Sequence, residues 1–356
     1  MRDIVVLLGD PCKVDRVKLN GKFNPEDLEV VERLKQSLKE LKEYNFTYLN
    51  DHDHLFSELI ELKGLNRIDY ILNLCDEGFN NDLKLEVDIP LRLDELEIKY
   101  TGASAECLKL CFNKKKVKEI ARKNGVIVAA DYRLDDKISF PVIVKPSEGD
   151  GSFGINKKSV VKNRNELVKA VRRLKKVLNF DEDILIEEFI PGDELTQGII
   201  GNDLDFIVLP LIKEDYSRLP GGLPEICGYE AKWDQESPYW KNLESIPAQV
   251  GEKTREIIQK CSVKLFGILE CKDYARFDWR LDGSGTPKLL EVNPNPGWCD
   301  DGHLAKAARI AGIPYSSMLK EILKTAEGRF GFRNQKNNGA PHVKNTALKH
   351  RVCLGS

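Results

Sequence analysis

The sequence predicts an α/β protein of more than one domain, and three observations lead to that prediction. The first hundred residues alternate between short apolar runs and amphipathic stretches, which is typical of a parallel sheet flanked by helices. Further along, short strands and helices in a different order predict two α+β units. The chain has 356 residues, which is long for a single hydrophobic core, so we expect two or three domains.

The first predicted domain covers residues 1–104. Its first helix has an apolar stripe at helical spacing, and Asn24 and Pro25 supply an N-cap and a first-turn proline. The predicted strands are 4–8, 46–49, 69–74 and 99–100, and the predicted helices are 24–43, 53–63 and 91–97.

The second and third predicted domains cover residues 105–190 and 191–328. Residues 329–356 turn to Asn, Lys, Gly and His and predict a poorly ordered tail. In the second domain we expect helices 113–123 and 164–177 and strands 126–128, 141–146 and 184–187. In the third domain we expect strands within 194–212, 228–234 and 274–293, and helices 249–264 and 303–325.

The composition narrows the class of protein. A net charge of −2 argues against a broad basic surface for nucleic acid or an anionic membrane. No apolar run approaches the roughly 18 residues of a membrane span, and the N-terminus resembles a buried strand rather than a signal peptide. The nine cysteines show no CxxC pair or zinc spacing, which indicates thiols in a reducing cytoplasm. Cys299 follows the hairpin described next, and the sequence leaves open whether it packs in the core or lies at an active site.

Residues 274–293 predict a β-hairpin with a functional face. Side chains alternate along a strand, so Arg276, Asp278 and Arg280 share one face, as do Glu291 and Asn293 on the second strand. If the strands pair, two carboxylates and an amide oxygen converge beside an arginine, a donor set that suits Mg²⁺. A solvated hairpin face is the alternative, and the rigid segment 294–297 that follows weakens it. The residues expected on the opposite face are Ala275, Phe277, Trp279, Leu290 and Val292.

Two other segments carry polar groups at strand ends. Lys145 ends an apolar strand before a glycine-rich loop at 147–154, which suits a phosphate because glycines let backbone N–H groups approach its oxygens. Neither standard phosphate fingerprint is present, so a surface turn is an alternative. Residues 184–192 form an apolar strand ending in acids and a turn. This segment either presents Glu187 and backbone groups to a base or ribose, or is an edge strand protected by charge.

Taken together and in this order, these segments resemble the ATP-grasp superfamily, in particular its D-alanine–D-alanine ligase branch. The resemblance covers residues of about 70 to 325. It implies an ATP-grasp fold in which a Rossmann-like N-terminal domain precedes two α+β subdomains with ATP between them. The matching segments are residues 100–102, 113–114, 142–147, 229–232, 291–293 and 296–297.

By this resemblance the chain is an ATP-dependent carboxylate–amine ligase that forms an amide through an acyl phosphate. Arg276, Gly297 and Lys232 are then catalytic. Asp278, Glu291 and Asn293 bind two Mg²⁺ ions, with Mn²⁺ as an alternative. A homodimer is also in keeping with the resemblance. The ATP-binding residues it implies are Lys114, Lys145, Glu148, Gly151, Ser152, Gly154, Glu187, Glu188, Phe189, Ile190 and Glu194.

The amino-acid pockets depart from the family pattern at three places. Residues 10–16 lack the glutamate that holds the donor's amino group, the family's His-Gly is replaced at 75–78 by Cys-Asp-Glu-Gly, and Gly302-His303 replaces a serine–leucine pair. We therefore expect substrates other than D-alanine, with Arg16, Asp76, Gly302 and His303 as candidate substrate residues. Arg16 suggests an acidic or non-amino donor and His303 an acceptor carboxylate, although packing or surface roles are open for both.

Three alternatives remain at this stage. The chain could be a true D-alanine–D-alanine ligase, a nucleotide-binding regulatory or scaffold protein without turnover, or a phosphotransferase that uses the same geometry. The Lys114–Lys116 run has its own alternative, a solvated helix face.

Overall fold

A computed structural model describes residues 1–18, 20–178, 183–203 and 205–332 of the chain. Of the predicted tail, residues 333–356 lie outside the described residues. Arg329 ends a helix, and Phe330 and Phe332 both pack against Tyr70, with ring centroids 5.3 and 6.0 Å away. The ordered chain therefore extends at least to Phe332.

The N-terminal segment forms a three-stranded parallel sheet in the order β2-β1-β3. The predicted cap is present: Asn24 and Asp27 form a reciprocal capping box at the start of α1, with Pro25 in the first turn. Tyr100 of the predicted strand 99–100 makes only an isolated parallel bridge to Ile71. The elements are β1 Arg2–Leu7, α1 Pro25–Lys39, β2 Tyr44–Leu49, α2 Leu55–Gly64, β3 Tyr70–Asn73 and α3 Asp88–Glu95.

The central segment is a four-stranded antiparallel sheet in the order β4-β7-β5-β6, covered by α6. The predicted strand 126–128 is wrong, because Val128 contributes only a single bridge, to Leu289. The elements are α4 Ala105–Phe112, α5 Lys114–Lys123, β4 Asp131–Tyr132, β5 Val142–Pro146, β6 Val160–Val161, α6 Arg164–Val177 and β7 Ile184–Glu188.

The C-terminal segment is a mostly antiparallel sheet in the order β11-β10-β8-β12-β13, with β9 paired to β8. Its strands are β8 Glu194–Asn202, β9 Asp205–Val208, β10 Ile212–Asp215, β11 Glu244–Pro247, β12 Tyr274–Leu281 and β13 Pro287–Asn293. Its helices are α7 Tyr229–Trp233, α8 Pro238–Asn242, α9 Glu252–Ile268, α10 His303–Ile310 and α11 Tyr315–Arg329.

Two further predictions in this segment are wrong for identifiable reasons. The expected strand 228–234 is the short helix α7, because its five alternating residues fit a helical period as well as a strand period. The expected helix 303–325 is two helices, since Gly312, at a φ of +75°, and Pro314 break it.

The core joins the N-terminal sheet to the C-terminal helices. Val6 and Leu72 on one face of that sheet belong to the same buried cluster as Ala308 of α10 and Leu319 of α11. The strand ends of the N-terminal sheet are thereby fixed beside the β12–β13 hairpin. No helix in the described part of the chain has the length and apolar character needed to cross a bilayer.

Asp273, just before β12, ties these parts together. It is fully buried, and its carboxylate accepts hydrogen bonds from the Gly102 amide at 2.8 Å and the Asn202 side chain at 2.8 Å. Arg329 at the end of α11 donates two further bonds, at 2.6 and 3.1 Å. One carboxylate thus joins the loop between α3 and α4, the end of β8 and the last turn of α11.

We expect Asp273→Asn to lower the free energy of unfolding by about 2 kcal/mol, because it removes the charge of a fully buried acceptor of several hydrogen bonds, including those from Arg329. Asparagine also tolerates the positive φ of +66° at this position, so backbone strain does not contribute. Urea denaturation measures the change. The control is Asp300→Asn, whose partly exposed pair with Arg33 should contribute less than about 1 kcal/mol. Equal effects of the two substitutions would contradict the assigned role of Asp273.

Candidate functional site

A cavity lies between the central sheet and the C-terminal sheet. Strands β5 and β7 form one wall, and β8, β10 and the β12–β13 hairpin form the other. Its polar lining is Lys145, Ser152, Glu187, Glu188, Glu194, Thr196, Glu214, Lys232, Arg276, Asp278, Arg280, Glu291 and His303.

The hairpin presents its charged face to this cavity. Asp278 lies directly opposite Glu291, and Arg276 lies opposite Asn293. Phe277 and Trp279 are fully buried in the core on the other face. The alternation predicted for β12 is therefore present.

The second strand differs from the prediction at Leu290. A β-bulge follows the Asp278–Glu291 pair, and the next pair is Trp279 with Leu289. Leu289 therefore occupies the core, while Leu290 lines the cavity next to Glu291. A bulge adds one residue and shifts the faces beyond it, which strict alternation does not anticipate.

Arg276 and Asp278 form a buried ion pair. The Arg276 Nη2 lies 2.9 Å from Oδ2 of Asp278, and its Nε donates to both carboxylate oxygens at 3.0 and 3.1 Å. The Thr196 hydroxyl donates to Oδ1 of Asp278 at 2.8 Å. Burial disfavours the guanidinium, but Asp278, Asp150 and Glu291 outweigh that effect and raise the pKa of Arg276. The arginine is thus held positively charged against the two carboxylates.

Glu291 is surrounded by cations. Burial alone would raise its pKa, but the positive charges of Lys114, Lys232, Arg276 and Lys145 hold the pKa below its ordinary value. Its nearest ion-pair distance, to Nη2 of Arg276, is 3.8 Å. The positive groups around one ionised carboxylate make this end of the cavity suitable for a polyanion.

The glycine-rich loop folds over the hairpin. Gly149, Gly151 and Gly154 adopt φ values of +91°, +66° and +78°, which glycine adopts without strain. Asp150 accepts a hydrogen bond from the side chain of Asn293, and the Asn293 Oδ1 accepts another from the Asn295 amide at 2.9 Å.

Neighbouring elements hold this loop in place. Lys114 donates to the carbonyl of Gly149, and Glu148 accepts from Asn113 at 3.0 Å. On the other side, Ser152 donates to the Cys227 carbonyl at 3.3 Å, and Trp233 donates to the Gly151 carbonyl at 3.1 Å. The structure therefore brings the predicted loop residues and Lys114 to the hairpin end of the cavity.

Glu187 at the other end lies between two lysines. Its Oε2 is 2.7 Å from Nζ of Lys145, and its Oε1 is 2.6 Å from Nζ of Lys118, with all three side chains buried. Lys118 also pairs with Asp131 of β4. The sequence analysis missed Lys118. Lys118 could have been found from its spacing, because it follows Lys114 by one turn of α5 and the two lysines therefore share a helix face.

The segment after β7 continues this wall. Phe189 lies under the guanidinium of Arg280, 4.9 Å from the ring centroid. Glu194 accepts from Tyr216 at 2.7 Å, and burial raises its pKa. Glu188 is turned toward Lys288, with Nζ 2.5 Å from Oε1. The Arg280 Nη2 is buried and has no hydrogen-bond partner among the described residues, so it is a donor available to a bound molecule.

His303 begins α10 and faces the cavity from the C-terminal side, with Gly302 as the preceding cap residue. Its Nε2 is 2.9 Å from Oε1 of Glu214, which also accepts from Ser245 at 2.9 Å. Burial would raise the pKa of Glu214, but His303 and Ser245 lower it below its ordinary value. The sequence analysis did not anticipate Glu214, since its partner lies 89 residues away along the chain.

Asp76 and Glu77 form an acidic pair beside Gly297. A Cβ at Gly297 would lie 3.3 Å from Oδ2 of Asp76. Burial raises the pKa of Asp76 to about 6 and that of Glu77 well above its ordinary value. The Glu77 Oε2 is buried without a partner among the described residues.

Arg16 does not join this acidic pair. Its side chain is 79% exposed, and its ion-pair contact is Asp82 at 4.0 Å. The positive charge that acts on the pair is that of Lys18, which partly opposes the rise that burial causes in the pKa of both acids. The structure gives no support to an acidic donor held by Arg16.

The hairpin residues fit a divalent metal ion by their chemistry. Asp278 and Glu291 offer carboxylate oxygens and Asn293 an amide oxygen, which are hard donors of the kind that Mg²⁺ takes beside phosphate oxygens. The described residues form no His- or Cys-containing group at this hairpin that would favour a softer metal.

Comparisons with known proteins agree with this arrangement. Residues 115–324 match the family model described as D-ala D-ala ligase C-terminus. D-alanine–D-alanine ligase A of Bacillus cereus is 33% identical over 244 residues, which are 66% of this chain and 74% of that protein. An uncharacterized protein, y4sG, of Sinorhizobium fredii is 32% identical over 266 residues, 73% of this chain and 75% of that protein.

Solved structures show the same fold. The D-alanine–D-alanine ligase of Bacillus anthracis in complex with ATP has a TM-score of 0.64 at 20% identity, covering 92% of this chain and 98% of that one. The VanG D-Ala:D-Ser ligase of Enterococcus faecalis has a TM-score of 0.66 at 17% identity, covering 91% and 99%.

Proposed function

This chain belongs to the D-alanine–D-alanine ligase family, whose members are ATP-grasp ligases that form C–N bonds. From that premise we propose a role for each residue of the cavity and a class of substrate for each pocket. The proposed reaction joins a small carboxylate to an amine through an acyl phosphate, with a donor other than D-alanine. The observation that carries it is Glu291, ionised among Lys114, Lys145, Lys232 and Arg276 opposite Asp278.

Activation of the carboxylate comes first. A free carboxylate is a poor acyl donor because its leaving group would be oxide, whereas an acyl phosphate releases inorganic phosphate. The carboxylate oxygen attacks the γ-phosphorus of ATP, the bond from that phosphorus to ADP breaks, and ADP leaves. Lys114, Lys145 and the loop 147–154 hold the phosphates. Glu187–Ile190 and Glu194 form the adenine and ribose end, with Lys118 fixing Glu187.

Asp278, Glu291 and Asn293 are the proposed ligands of two Mg²⁺ ions. When bound, the ions supply positive charge against the phosphate oxygens. Arg276 keeps Asp278 in place, and Thr196 fixes its second oxygen. Asp150, which contacts Asn293, connects the loop to this group of ligands.

Amide formation follows at the same end of the cavity. The acceptor amine attacks the acyl carbon, the C–N bond forms, and phosphate leaves. Arg276 and the backbone N–H of Gly297 are the proposed donors to the tetrahedral oxyanion, and Lys232 balances charge on the departing phosphate. The closed loop 147–154 excludes water, which would otherwise hydrolyse the intermediate.

The donor pocket favours an amine-bearing carboxylate. Above about pH 6, Asp76 supplies negative charge beside Gly297, where the donor's carbonyl would lie, while the raised pKa of Glu77 favours a neutral carboxyl group there. Glu77 has an unpartnered carboxylate oxygen that an ammonium group could satisfy. We therefore propose a donor with a protonated amino or other cationic group, in place of the acidic donor that Arg16 suggested. D-alanine also carries such a group, so the proposal of another donor depends on the departures from the family pattern at residues 10–16 and 75–78.

The acceptor pocket contains His303, oriented by Glu214. Glu214 engages Nε2 of the imidazole, which leaves Nδ1 to hydrogen-bond with a polar group of the acceptor. A serine–leucine pair offers no such ring nitrogen, so we propose that the acceptor also differs from D-alanine.

Incubation with ATP, Mg²⁺ and pools of amino acids tests the function. We expect pool-dependent phosphate release and a new amide in the mass spectrum. The second candidate function is a true D-alanine–D-alanine ligase, which the similarity to Bacillus cereus ligase A supports. A parallel incubation with D-alanine as the sole amino acid tests it. Efficient D-alanyl-D-alanine formation with no preference for another donor would contradict the proposed pockets.

Asp76 gives the donor pocket a pH dependence. Its pKa is raised to about 6, so it is ionised above that pH and neutral below it. If it binds a cationic donor, kcat/KM for the donor should rise as the pH increases from about 5 to 7. Asp76→Asn should remove this rise and increase the donor KM, with Asp53→Asn at the exposed surface as control. An unchanged pH profile in Asp76→Asn would exclude Asp76 as the donor's partner.

A further inference from the structure

Three cysteines form a buried cluster outside the candidate active site. Cys107 and Cys111 lie on α4, and Cys271 lies in the turn before β12. Their sulfur atoms are all within 4.8 Å of one another, and each residue is at most 5% exposed. All three are free thiols, and among the described residues no His, Cys, Asp or Glu joins them as a fourth member.

The local structure explains why the sulfurs meet. Residues four apart on a helix share a face, so Cys107 and Cys111 project together. Cys271 reaches them because its backbone N–H donates to Phe266 at the end of α9, which fixes the turn into β12. The cluster therefore joins α4 to the strand that carries Arg276 and Asp278.

The surroundings favour a thiolate at Cys107. This residue is in the first turn of α4, where the helix dipole stabilises negative charge and Ser104 caps its N–H at 3.2 Å. The Cys111 and Cys271 thiols are hydrogen-bond donors to the Cys107 sulfur, so two donors surround a negative charge formed there.

The chain neighbours of the cysteines reach the surface. Glu106, Glu270 and Lys272 line a polar pocket together with Ser104, whereas the three cysteines themselves are buried behind it.

We propose that Cys107, Cys111 and Cys271 bind one thiophilic d¹⁰ cation, Zn²⁺ or Cu⁺, as thiolates. Each thiol that becomes a ligand releases its proton to solvent, and no electron is transferred. Soft thiolates select these ions over Mg²⁺, so the cluster and the hairpin take different metals from one solution. The bound ion fixes α4 against the turn that leads into β12.

Anaerobic titration of the reduced, metal-free full-length protein with Co²⁺ in excess Mg²⁺ tests this proposal. Thiolate ligands give cobalt a strong charge-transfer band in the near ultraviolet, whereas oxygen ligands at the hairpin do not. We expect about one equivalent to produce the band in the wild type and in Cys261→Ser, a control cysteine outside the cluster. Cys271→Ser and Cys107→Ser should each lose most of it.

Further measurements identify the bound ion and distinguish loss of the site from misfolding of a variant. Displacement of Co²⁺ by Zn²⁺, and Cu⁺ transfer from a coloured copper chelator, each measure affinity for one ion, and the tighter ion is assigned to the site. The same ion should raise the Tm of the wild type and not that of the cluster variants. A wild type with no charge-transfer band and no metal-dependent rise in Tm overturns the proposal. So does a Cys107–Cys111 disulfide in protein purified under reducing conditions.

Discussion

Glu291→Gln should reduce ATP-dependent phosphate release at least about 10²- to 10³-fold while leaving the fold intact. The substitution keeps the shape of the side chain but removes the negative charge that faces Asp278 and the four surrounding cations. A metal–ligand charge of this kind is worth several kcal/mol of transition-state stabilisation, which corresponds to that factor. Stopped assays of inorganic phosphate measure the rate, and far-UV circular dichroism checks the fold.

The control for this prediction is Glu252→Gln, in the first turn of α9, where the carboxylate is exposed and pairs only with Arg255. Its activity should match the wild type. The experiment also separates classes of protein. A nucleotide-binding scaffold would show ATP-dependent thermal stabilisation with no phosphate release in the wild type, and a phosphotransferase would yield a phosphorylated product without an amide. If Glu291→Gln turns over at the wild-type rate, the hairpin carboxylates do not take part in the reaction.

Arg276→Lys should lower the rate of amide formation about 10²- to 10³-fold, the usual effect of losing an oxyanion donor. Lysine retains a positive charge beside Asp278 but lacks the forked donors with which Arg276 holds both carboxylate oxygens and would reach the proposed oxyanion. The proposed ATP contacts are made mainly by other residues, so ATP-dependent thermal stabilisation should persist. Single-turnover formation of the amide, followed by mass spectrometry, measures the loss.

Arg255→Lys on the exposed face of α9 is the matched control, since it makes the same substitution away from the cavity. A loss of ATP binding in Arg276→Lys that equals its loss of amide formation would assign Arg276 to nucleotide binding instead.

The candidate site residues could be predicted from the sequence where their positions depend on local order along one strand. Arg276 and Asp278 face the cavity because strand side chains alternate, and the paired Glu291 follows from a short turn between the strands. The capped helix α1 and the helix at 164–177 were predictable for the same reason, since caps and apolar stripes are local.

Prediction failed where distant segments or irregular geometry decide the result. Leu290 lines the cavity because of a bulge, which is not encoded in the alternation of apolar residues. Glu214 becomes relevant only through His303, and Lys118 only through Glu187 on another element. Arg16 appeared near the donor pocket in sequence, yet its side chain points to solvent and the acids Asp76 and Glu77 take that place.

The thiol cluster illustrates the same limit. Cys107 and Cys111 are recognisable as a helical pair, but Cys271 meets them only because the turn between α9 and β12 packs against α4. Spacing rules for metal sites recognise ligands that are close along the chain, and they do not detect a third ligand contributed by a distant turn.

Activation of a carboxylate as an acyl phosphate, before an amine attacks it, is tested directly with amino-acid pools labelled with ¹⁸O in their carboxyl groups, together with ATP and Mg²⁺. We expect one ¹⁸O atom in the phosphate released for each amide formed, because the attacking carboxylate oxygen leaves with the phosphate. Unlabelled phosphate released in step with amide formation, or phosphate release with no amide, would contradict it.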